Sequence, residues 1–243
     1  MSTANYTSSW HNGALEFRDE DGGVVKVVTA HVVNDDFLGV AVDTTNDWTF
    51  AAVNSGAIAR TAGAGGIARI TTGAADDDDA DLATPLNYLP SKGCSLEVRF
   101  ATNDAAGTGF NVGFSDATGE AADLIAITYS GTTLTSTASD FAGFFHDADA
   151  TTDAIRAVAI KGNTDGTVYD SGSVAVDATY NVYRVDINQD GDVSFWLDGN
   201  HIATADAAIT TSAPLCAYVA LINREGAANT ADIDYIRVWA WSR

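Results

Sequence analysis

The sequence predicts an all-β protein with its strands in two layers, and three observations support this prediction. Residues 179–206 encode a β-meander, because two turn sequences at 189–191 and 198–200 separate three strand-like segments. Two further segments of strand length follow, at residues 214–223 and 232–239. No stretch of the sequence shows sustained helical periodicity, and no repeat of fixed length appears.

The middle segment of the meander, residues 192–197, indicates the kind of sheet to expect. Val193, Phe195 and Leu197 fall on one face of the strand, and Trp196 falls on the other. Both faces therefore carry apolar side chains, which favours a strand inside a two-sheet sandwich over a sheet with one polar face. On this reasoning Trp196 is interpreted as a core residue.

The order of these elements resembles a known fold family. The hairpin sequence WLDGNHIAT, the apolar strand after it and the terminal strand DIDYIRVW are similar to the C-terminal half of concanavalin A-like lectin and glucanase jelly rolls. That family includes laminin G-like modules and family 16 glycoside hydrolases. The resemblance covers residues 35–241 and implies a concanavalin A-like jelly-roll β-sandwich, and it specifies the fold better than an activity.

Chain length and local pattern predict two parts. The 243 residues are enough for one sandwich domain, which buries about 70% of the unfolded surface and needs no disulfide. We expect this domain at residues 34–243. Residues 1–33 are expected to form an N-terminal arm, in which segments 14–17 and 24–28 pair as a short β-hairpin. An isolated hairpin is marginal in water, so it would join the sandwich or dock on another chain.

Charge is the most unusual global property: 33 acidic residues stand against 12 basic ones, the net charge is −21, and only three residues are lysines. Such a surface repels nucleic acids and anionic membranes, so neither is an expected partner. One interpretation is simple solubility. The other is adaptation to molar salt, where the Debye length falls to about 3 Å. This Asp-rich, Lys-poor composition resembles proteins of extremely halophilic archaea and their viruses.

Compartment and cysteine chemistry give weaker constraints. No apolar segment follows the first residues and no window approaches 18 apolar residues, so we expect synthesis in a host cytoplasm without a signal peptide or membrane span. Cys94 and Cys216 either pair across neighbouring strands or remain separate buried thiols.

The sequence carries no recognisable catalytic apparatus. The family 16 hydrolases use a Glu-x-Asp-x-x-Glu strand, and retaining hydrolysis needs two carboxylates about 5 Å apart. None of the five glutamates stands in that motif: Glu16, Glu20, Glu97, Glu120 and Glu225. The four histidines lack metal-ligand spacing, and no serine nucleophile elbow occurs. We therefore expect a protein that is not an enzyme.

Two acidic features are candidates for metal binding. The run Asp76 to Asp79, followed by Asp81, is interpreted as a solvated loop or, alternatively, as a cation site, although contiguous acids lack the alternating spacing of a calcium loop. The family resemblance implies a structural calcium held by Asp36 and Asp234 with backbone carbonyls. The alternative is that Asp234 accepts a hydrogen bond or is exposed. No other cofactor is expected.

The leading hypothesis for function rests on the arm. The sequence SSWHNGALEFRDEDGGVV resembles short N-terminal arms of tailed-virus head and tail accessory proteins. We expect the arm to bind capsid or other virion proteins through five apolar residues: Trp10, Leu15, Phe17, Val25 and Val27. The protein would then be a non-enzymatic virion structural protein of a tailed virus, infecting a halophilic archaeon. It would decorate the virion surface or form turrets or appendages as a homo-oligomer, a trimer or pentamer.

Two alternatives remain open. The first is a carbohydrate-binding adhesin for host glycans, which would need exposed aromatic side chains beside polar groups on the concave face. Trp196 and Trp239 lie in apolar strands and are interpreted as core, whereas Trp10 in the arm is better placed for a protein partner. The second and weaker alternative is a polysaccharide hydrolase.

Overall fold

The computed structural model describes residues 7–11, 14–18, 24–28, 31–61, 66–121 and 123–240. One short 3-10 helix, Pro90–Lys92, lies among strands in this part of the chain. The strands are β1 (Thr7–His11), β2 (Ala14–Arg18), β3 (Val24–Val28), β4 (His31–Asp35), β5 (Thr49–Ala52), β6 (Ala57–Thr61), β7 (Ile67–Thr71), β8 (Asp79–Ala83), β9 (Cys94–Thr102), β10 (Thr108–Ser115), β11 (Ile127–Ser130), β12 (Thr133–Ser136), β13 (Phe141–Asp147), β14 (Arg156–Lys161), β15 (Thr164–Asp165), β16 (Tyr169–Asp170), β17 (Asn181–Ile187), β18 (Val193–Leu197), β19 (Asn200–Ala205), β20 (Cys216–Asn223) and β21 (Thr230–Ala240).

Two large antiparallel sheets form a sandwich. The first sheet has the order β19-β18-β17-β9-β21-β7-β6, and β4 pairs with the C-terminal half of β21. The second sheet has the order β15-β14-β13-β10-β20-β8-β5, and β16 also pairs with β14. Neighbouring strands in each sheet are mostly distant in sequence, because the chain crosses repeatedly between the layers. The predicted all-β sandwich is confirmed.

Aromatic side chains fill the space between the sheets. Tyr183 of the first sheet contacts Phe144 and Phe110 of the second, with ring centroids 5.4 and 5.8 Å apart. Phe195 meets Phe144 edge-to-face at 5.8 Å. Such pairs add about 0.5–1.5 kcal/mol each to the free energy gained by burying their area. The strands of the predicted meander therefore pack directly against the opposite sheet through these aromatic contacts.

The predicted meander is confirmed as β17-β18-β19. Asp198 and Gly199 both adopt positive φ, 50° and 78°, which a two-residue hairpin turn with right-handed strand twist requires. Gly191, at φ 86°, occupies the other predicted turn.

Cys94 and Cys216 are both free and buried, and burial raises each thiol pKa to about 12. The cysteines are thus separate core residues.

The N-terminal strands form a small sheet of their own with the order β1-β2-β3. The predicted hairpin of β2 and β3 is present, and β1 adds a third strand to it. β4 crosses the expected boundary between residues 33 and 34, since it pairs with β21 in the sandwich. The division into an attachment arm and a sandwich stays a prediction.

The outer face of the second sheet is covered by the chain itself. Residues 116–121 and 123–139, here termed the cover segment, include the two-stranded sheet of β11 and β12. A second hydrophobic cluster joins Ile125 and Ile127 of the cover to Phe145 and Tyr218 of the sheet. As a result β10, β13 and β20 are buried along their whole length. Residues 124–129 lie in this cover, and β11 pairs with β12 outside the two large sheets.

Polar side chains of the sheet hold the cover by its backbone. The Asn111 amide on β10 accepts from Ile127 N–H at 2.8 Å and donates to Ile127 C=O at 3.0 Å. Asp79 accepts from Leu124 N–H at 2.9 Å, and Asp147 accepts from Tyr129 N–H at 2.8 Å. Backbone groups that water cannot reach must find such partners. The cover is therefore attached by specific polar contacts as well as by apolar packing.

Acids in β8 supply part of this attachment. The interpretation of the acidic run at residues 76–81 as a solvated loop is therefore wrong for Asp78, Asp79 and Asp81, which are buried. Asp81 accepts from Tyr218 Oη at 2.8 Å and from Glu120 N–H at 3.3 Å. Burial raises the pKa of Asp81 to about 8 and that of Asp79 to about 6. Near neutral pH Asp81 is held mainly as the uncharged acid.

Replacing Asn111 with Leu is expected to destabilise the protein by about 2–4 kcal/mol, because Ile127 N–H and C=O would lose their partners in a buried position. Urea unfolding measures the loss, and hydrogen exchange at the Ile127 amide reports whether the cover loosens first. Asn87→Leu, at an exposed position, is the control. Wild-type exchange at Ile127 in the Asn111 variant would contradict this attachment.

Asp81 predicts a pH dependence of stability with a definite sign. Its pKa is higher in the folded chain than the ordinary value of 3.8, so unfolding releases a proton between pH about 4 and 8. The free energy of unfolding should fall as the pH rises through this window and level off above it. In Asp81→Asn the amide oxygen can still accept from Glu120 N–H, and the NH2 group can donate to Tyr218 Oη in a bond of reversed direction. This variant should flatten the curve. Asp206→Asn, an exposed change of equal charge, should leave the slope unaltered.

Candidate functional site

The outer face of the first sheet is the open face of the sandwich. Along β17 and β18 the inward residues are buried, and the alternating outward residues are half-buried or exposed. Four of the nine arginines of the chain lie on this face: Arg69, Arg99, Arg184 and Arg237. In a chain of net charge −21, this concentration makes the open face chemically distinct.

Strand register places four outward side chains in one row. Trp196 on β18 pairs with Arg184 on β17, which pairs with Glu97 on β9, which pairs with Arg237 on β21. Strands lie about 4.8 Å apart, so the row extends roughly 14 Å across the face. This row, here termed the open-face row, offers an aromatic ring, two guanidinium groups and a carboxylate.

Tyrosine rings hold the arginines of this face in place. The Arg99 guanidinium lies 4.3 Å from the ring centroid of Tyr180, and that of Arg237 lies 4.3 Å from the centroid of Tyr235. Tyr235 Oη donates to Glu97 at 3.0 Å. The pKa of Tyr235 is raised to about 12, mainly by burial and to a lesser extent by the negative charge of Glu97. The tyrosine therefore remains a neutral donor, and the arginine planes are oriented before any ligand arrives.

Trp196 and Trp239 are not core residues, because both side chains lie on the open face and are half-buried. The sequence analysis interpreted both tryptophans as core because their strands carry apolar side chains on both faces. An apolar side chain on the outer face of a sandwich strand can, however, remain partly exposed to solvent. The Trp196 ring meets the His201 ring at 4.7 Å, and its Nε1 has no hydrogen-bond partner in the described part of the chain. His201 Nε2 lies 3.0 Å from Thr204 Oγ1.

Together these groups have the chemistry of a site for a polar ring compound. An aromatic face stacks on apolar patches of a sugar ring, and planar arginine–carboxylate pairs form hydrogen bonds with hydroxyl groups.

The sequence analysis did not identify Arg184, Glu97 and Arg237 as residues of this site. The period-2 alternation of their strands could have placed each on the outer face, but the pairing of strands distant in sequence set the row.

The implied calcium site does not fit the contacts of this structure. The Asp234 carboxylate accepts from Arg99 Nη1 at 2.6 Å, so it is already neutralised by a cation, and Asp36 is exposed. No group of three or more His, Cys, Asp or Glu side chains is arranged to hold a metal within the residues described. Calcium at Asp36 and Asp234 stays a prediction that these contacts do not favour.

The predicted arm residues lie on the small N-terminal sheet. Trp10 pairs with Leu15 between β1 and β2, and Phe17 pairs with Lys26 between β2 and β3. Val27 pairs with Glu16, and Val25 also lies in β3. Their role in binding a partner stays a prediction.

On the covered face Asp79, Asp81 and Asp147 have structural partners. Asp147 receives two hydrogen bonds from Arg224, at 2.9 and 2.7 Å, and Arg224 also pairs with Asp77. Phe141, Gly143 and Phe145 alternate with inward residues on β13 and are buried beneath the cover. Among the described residues of this face, the carboxylates of β8 and β13 are hydrogen-bonded within the protein. This differs from an open groove with two facing acids.

Comparison with known proteins shows the fold. No protein-family model and no curated protein sequence matches the chain. Among solved structures, it is similar to the carbohydrate recognition domain of Emp47p, with 12% identity, a TM-score of 0.59 and coverage of 86% of this chain and 94% of that chain. A family 16 glycoside hydrolase from Bacteroides ovatus, solved with an oligosaccharide product, gives 10% identity, a TM-score of 0.57 and coverage of 85% and 99%. A Shewanella oneidensis protein of unknown function, SO2946, has 12% identity and a TM-score of 0.54, and the match covers 87% of this chain and 86% of that chain. The chain therefore has the concanavalin A-like jelly-roll fold, which is shared by lectins and by enzymes.

Proposed function

We propose that the protein is a non-enzymatic structural protein of a tailed virus, attached through its N-terminal strands to the surface of the head or an appendage. The cover over the second sheet carries the non-enzymatic part of this proposal. It fills one outer face of the sandwich, and the buried acids beneath it bind backbone N–H groups instead of facing a groove. A hydrolase of this fold would need two carboxylates open to a glycan.

The viral part of the proposal is supported by composition and by the small sheet. Extreme acidity with three lysines suits a surface that stays hydrated in molar salt. The sheet β1-β2-β3 has outer strands whose backbone groups can accept another strand. Attachment by strand addition to a capsid protein, in a trimer or pentamer of this chain, would leave the acidic sandwich facing solvent.

Deleting residues 1–30 is expected to abolish attachment while preserving the sandwich, because β4 begins at His31 and retains its pairing with β21. The assay is cosedimentation with purified capsids that lack the protein, in molar salt, with melting temperature as the test of folding. Full-length Trp196→Ala is the control and should attach normally. A folded deletion variant that cosediments like the wild type would remove the attachment role from the arm.

The open-face row supports a second candidate function, carbohydrate binding. A half-buried tryptophan beside oriented arginines suits a glycan, and the Emp47p domain of the same fold is a carbohydrate recognition domain. This function is compatible with the first, since a particle-bound sandwich could present this face to host glycans.

Under the second candidate, Trp196→Ala and Arg184→Ala should each weaken glycan binding by about 2 kcal/mol, roughly thirty-fold. A glycan array in molar salt identifies the ligand, and titration calorimetry measures the loss. Leu38→Ala, which removes an exposed apolar side chain outside the row, should have no effect. Absence of saturable binding across the array, or equal binding by the row variants, would count against this function.

A further inference from the structure

A cavity of about 450 Å³ lies beside the end of β13, away from the open-face row. It is bounded by the loop after β9, the loop after β13 and the segment before β17. Most of its apolar wall consists of methyl groups: Ala105, Ala106, Ala148, Ala150, Ala175 and Val176. The polar side chains that line it are His146, Asp147, Asp153 and Asp177. This volume accommodates a small organic molecule.

His146 is buried in the floor of this cavity, with 1% of its surface exposed, and its ring packs on Phe110 at 5.4 Å. Its Nε2 lies 2.9 Å from the carbonyl oxygen of Ala105. A carbonyl can only accept, so Nε2 carries the hydrogen. In the neutral ring Nδ1 is then an acceptor, and it has no hydrogen-bond partner among the residues described.

Asp153 lines the same cavity on the Nδ1 side of the ring. Its Oδ1 lies 3.4 Å from His146 Nδ1, but the pair does not meet hydrogen-bond geometry. The Asp153 side chain is 56% exposed, so it can move toward a ligand. In the neutral form of the ring two acceptors thus face each other, with no donor between them among the described residues, which is unfavourable for the buried one.

The remaining polar groups give the cavity a negative charge. Asp147 is neutralised by Arg224, at 2.7 Å, and takes no further part. Asp177 accepts from Ala105 N–H at 2.8 Å. No lysine, arginine, serine or threonine is among the lining residues described. A ligand that matches this cavity must supply hydrogen-bond donors and positive charge.

We propose that this cavity binds a small primary or secondary organic ammonium ion. One N–H donates to His146 Nδ1 and a second donates to Asp153, with the nitrogen about 2.9 Å from both atoms. The attached methylene groups pack on the alanine wall, and Asp177 adds to the attraction. Two N–H donors on one nitrogen are required, which excludes quaternary ammonium ions.

Titration calorimetry with n-butylammonium, choline and glycerol tests the proposal. The titrations are made in molar salt at roughly pH 8, where an alkylammonium remains charged and non-specific attraction to the acidic surface is screened. Of the three compounds, only n-butylammonium is expected to bind saturably. Its binding should also shift the ¹⁵Nδ1 resonance of the His146 imidazole. Asp153→Asn should weaken binding roughly ten- to hundred-fold, whereas Asp190→Asn, an equal charge change in an exposed turn, should not.

Three results would overturn the proposal. Equal binding of choline would show that charge alone attracts the ligand, and preferred binding of glycerol would assign the cavity to neutral hydroxyl compounds. A lack of n-butylammonium binding to the folded wild type would show that a water molecule, or protonation of His146, satisfies the two acceptors instead. Because Asp153 is exposed, Asp153→Asn should fold even where a substitution of His146 does not.

Discussion

Burial of the second sheet on both faces is the constraint on which the rest of this structure depends. Its inward side chains meet the first sheet, and its outward side chains meet the cover segment. Enclosure on both sides excludes water from the polar groups of its central strands, β8, β10, β13 and β20, and each unpaired group there costs about 1–3 kcal/mol. Asn111, Asp79, Asp81 and Asp147 are tolerated there because each accepts a hydrogen bond from the cover backbone.

The same constraint separates the two outer faces of the sandwich by role. On the covered face acids serve structure, and Asp81 is kept largely uncharged by burial. On the open face arginine–carboxylate pairs remain solvated, and rings such as Tyr235 orient them without a covering layer. A surface that must recognise a partner cannot also be closed by its own chain. Any binding by the sheets of the sandwich is thereby directed to the first sheet.

Sequence reasoning predicted the fold well where the signal was local. The turns at Gly191 and Gly199 require positive φ, and period-2 alternation on β18 identified the inward residues, so the meander could be read directly. Sequence reasoning failed where the outcome depended on packing between distant segments. The run ending at Asp79 has the composition of a solvated loop, yet β8 lies between β5 and β20 and is covered by residues more than 30 positions away. Likewise, the open-face row exists only because β9 lies between β17 and β21.

The strands of the open face carry equal numbers of paired acids and arginines, so this face is close to neutral although the molecule as a whole is strongly acidic. Among the described residues, four acids on its strands offset the four arginines with which they pair: Glu97, Asp186, Asp232 and Asp234. The net charge of −21 is therefore carried by the rest of the molecule. When two copies or a copy and another acidic protein approach, repulsion is weakest where the local charge is zero, and molar salt screens the remainder. Cross-strand pairing of arginines with acids thus neutralises the strands of this face, so repulsion of an approaching acidic molecule is weaker there than over the rest of the acidic surface.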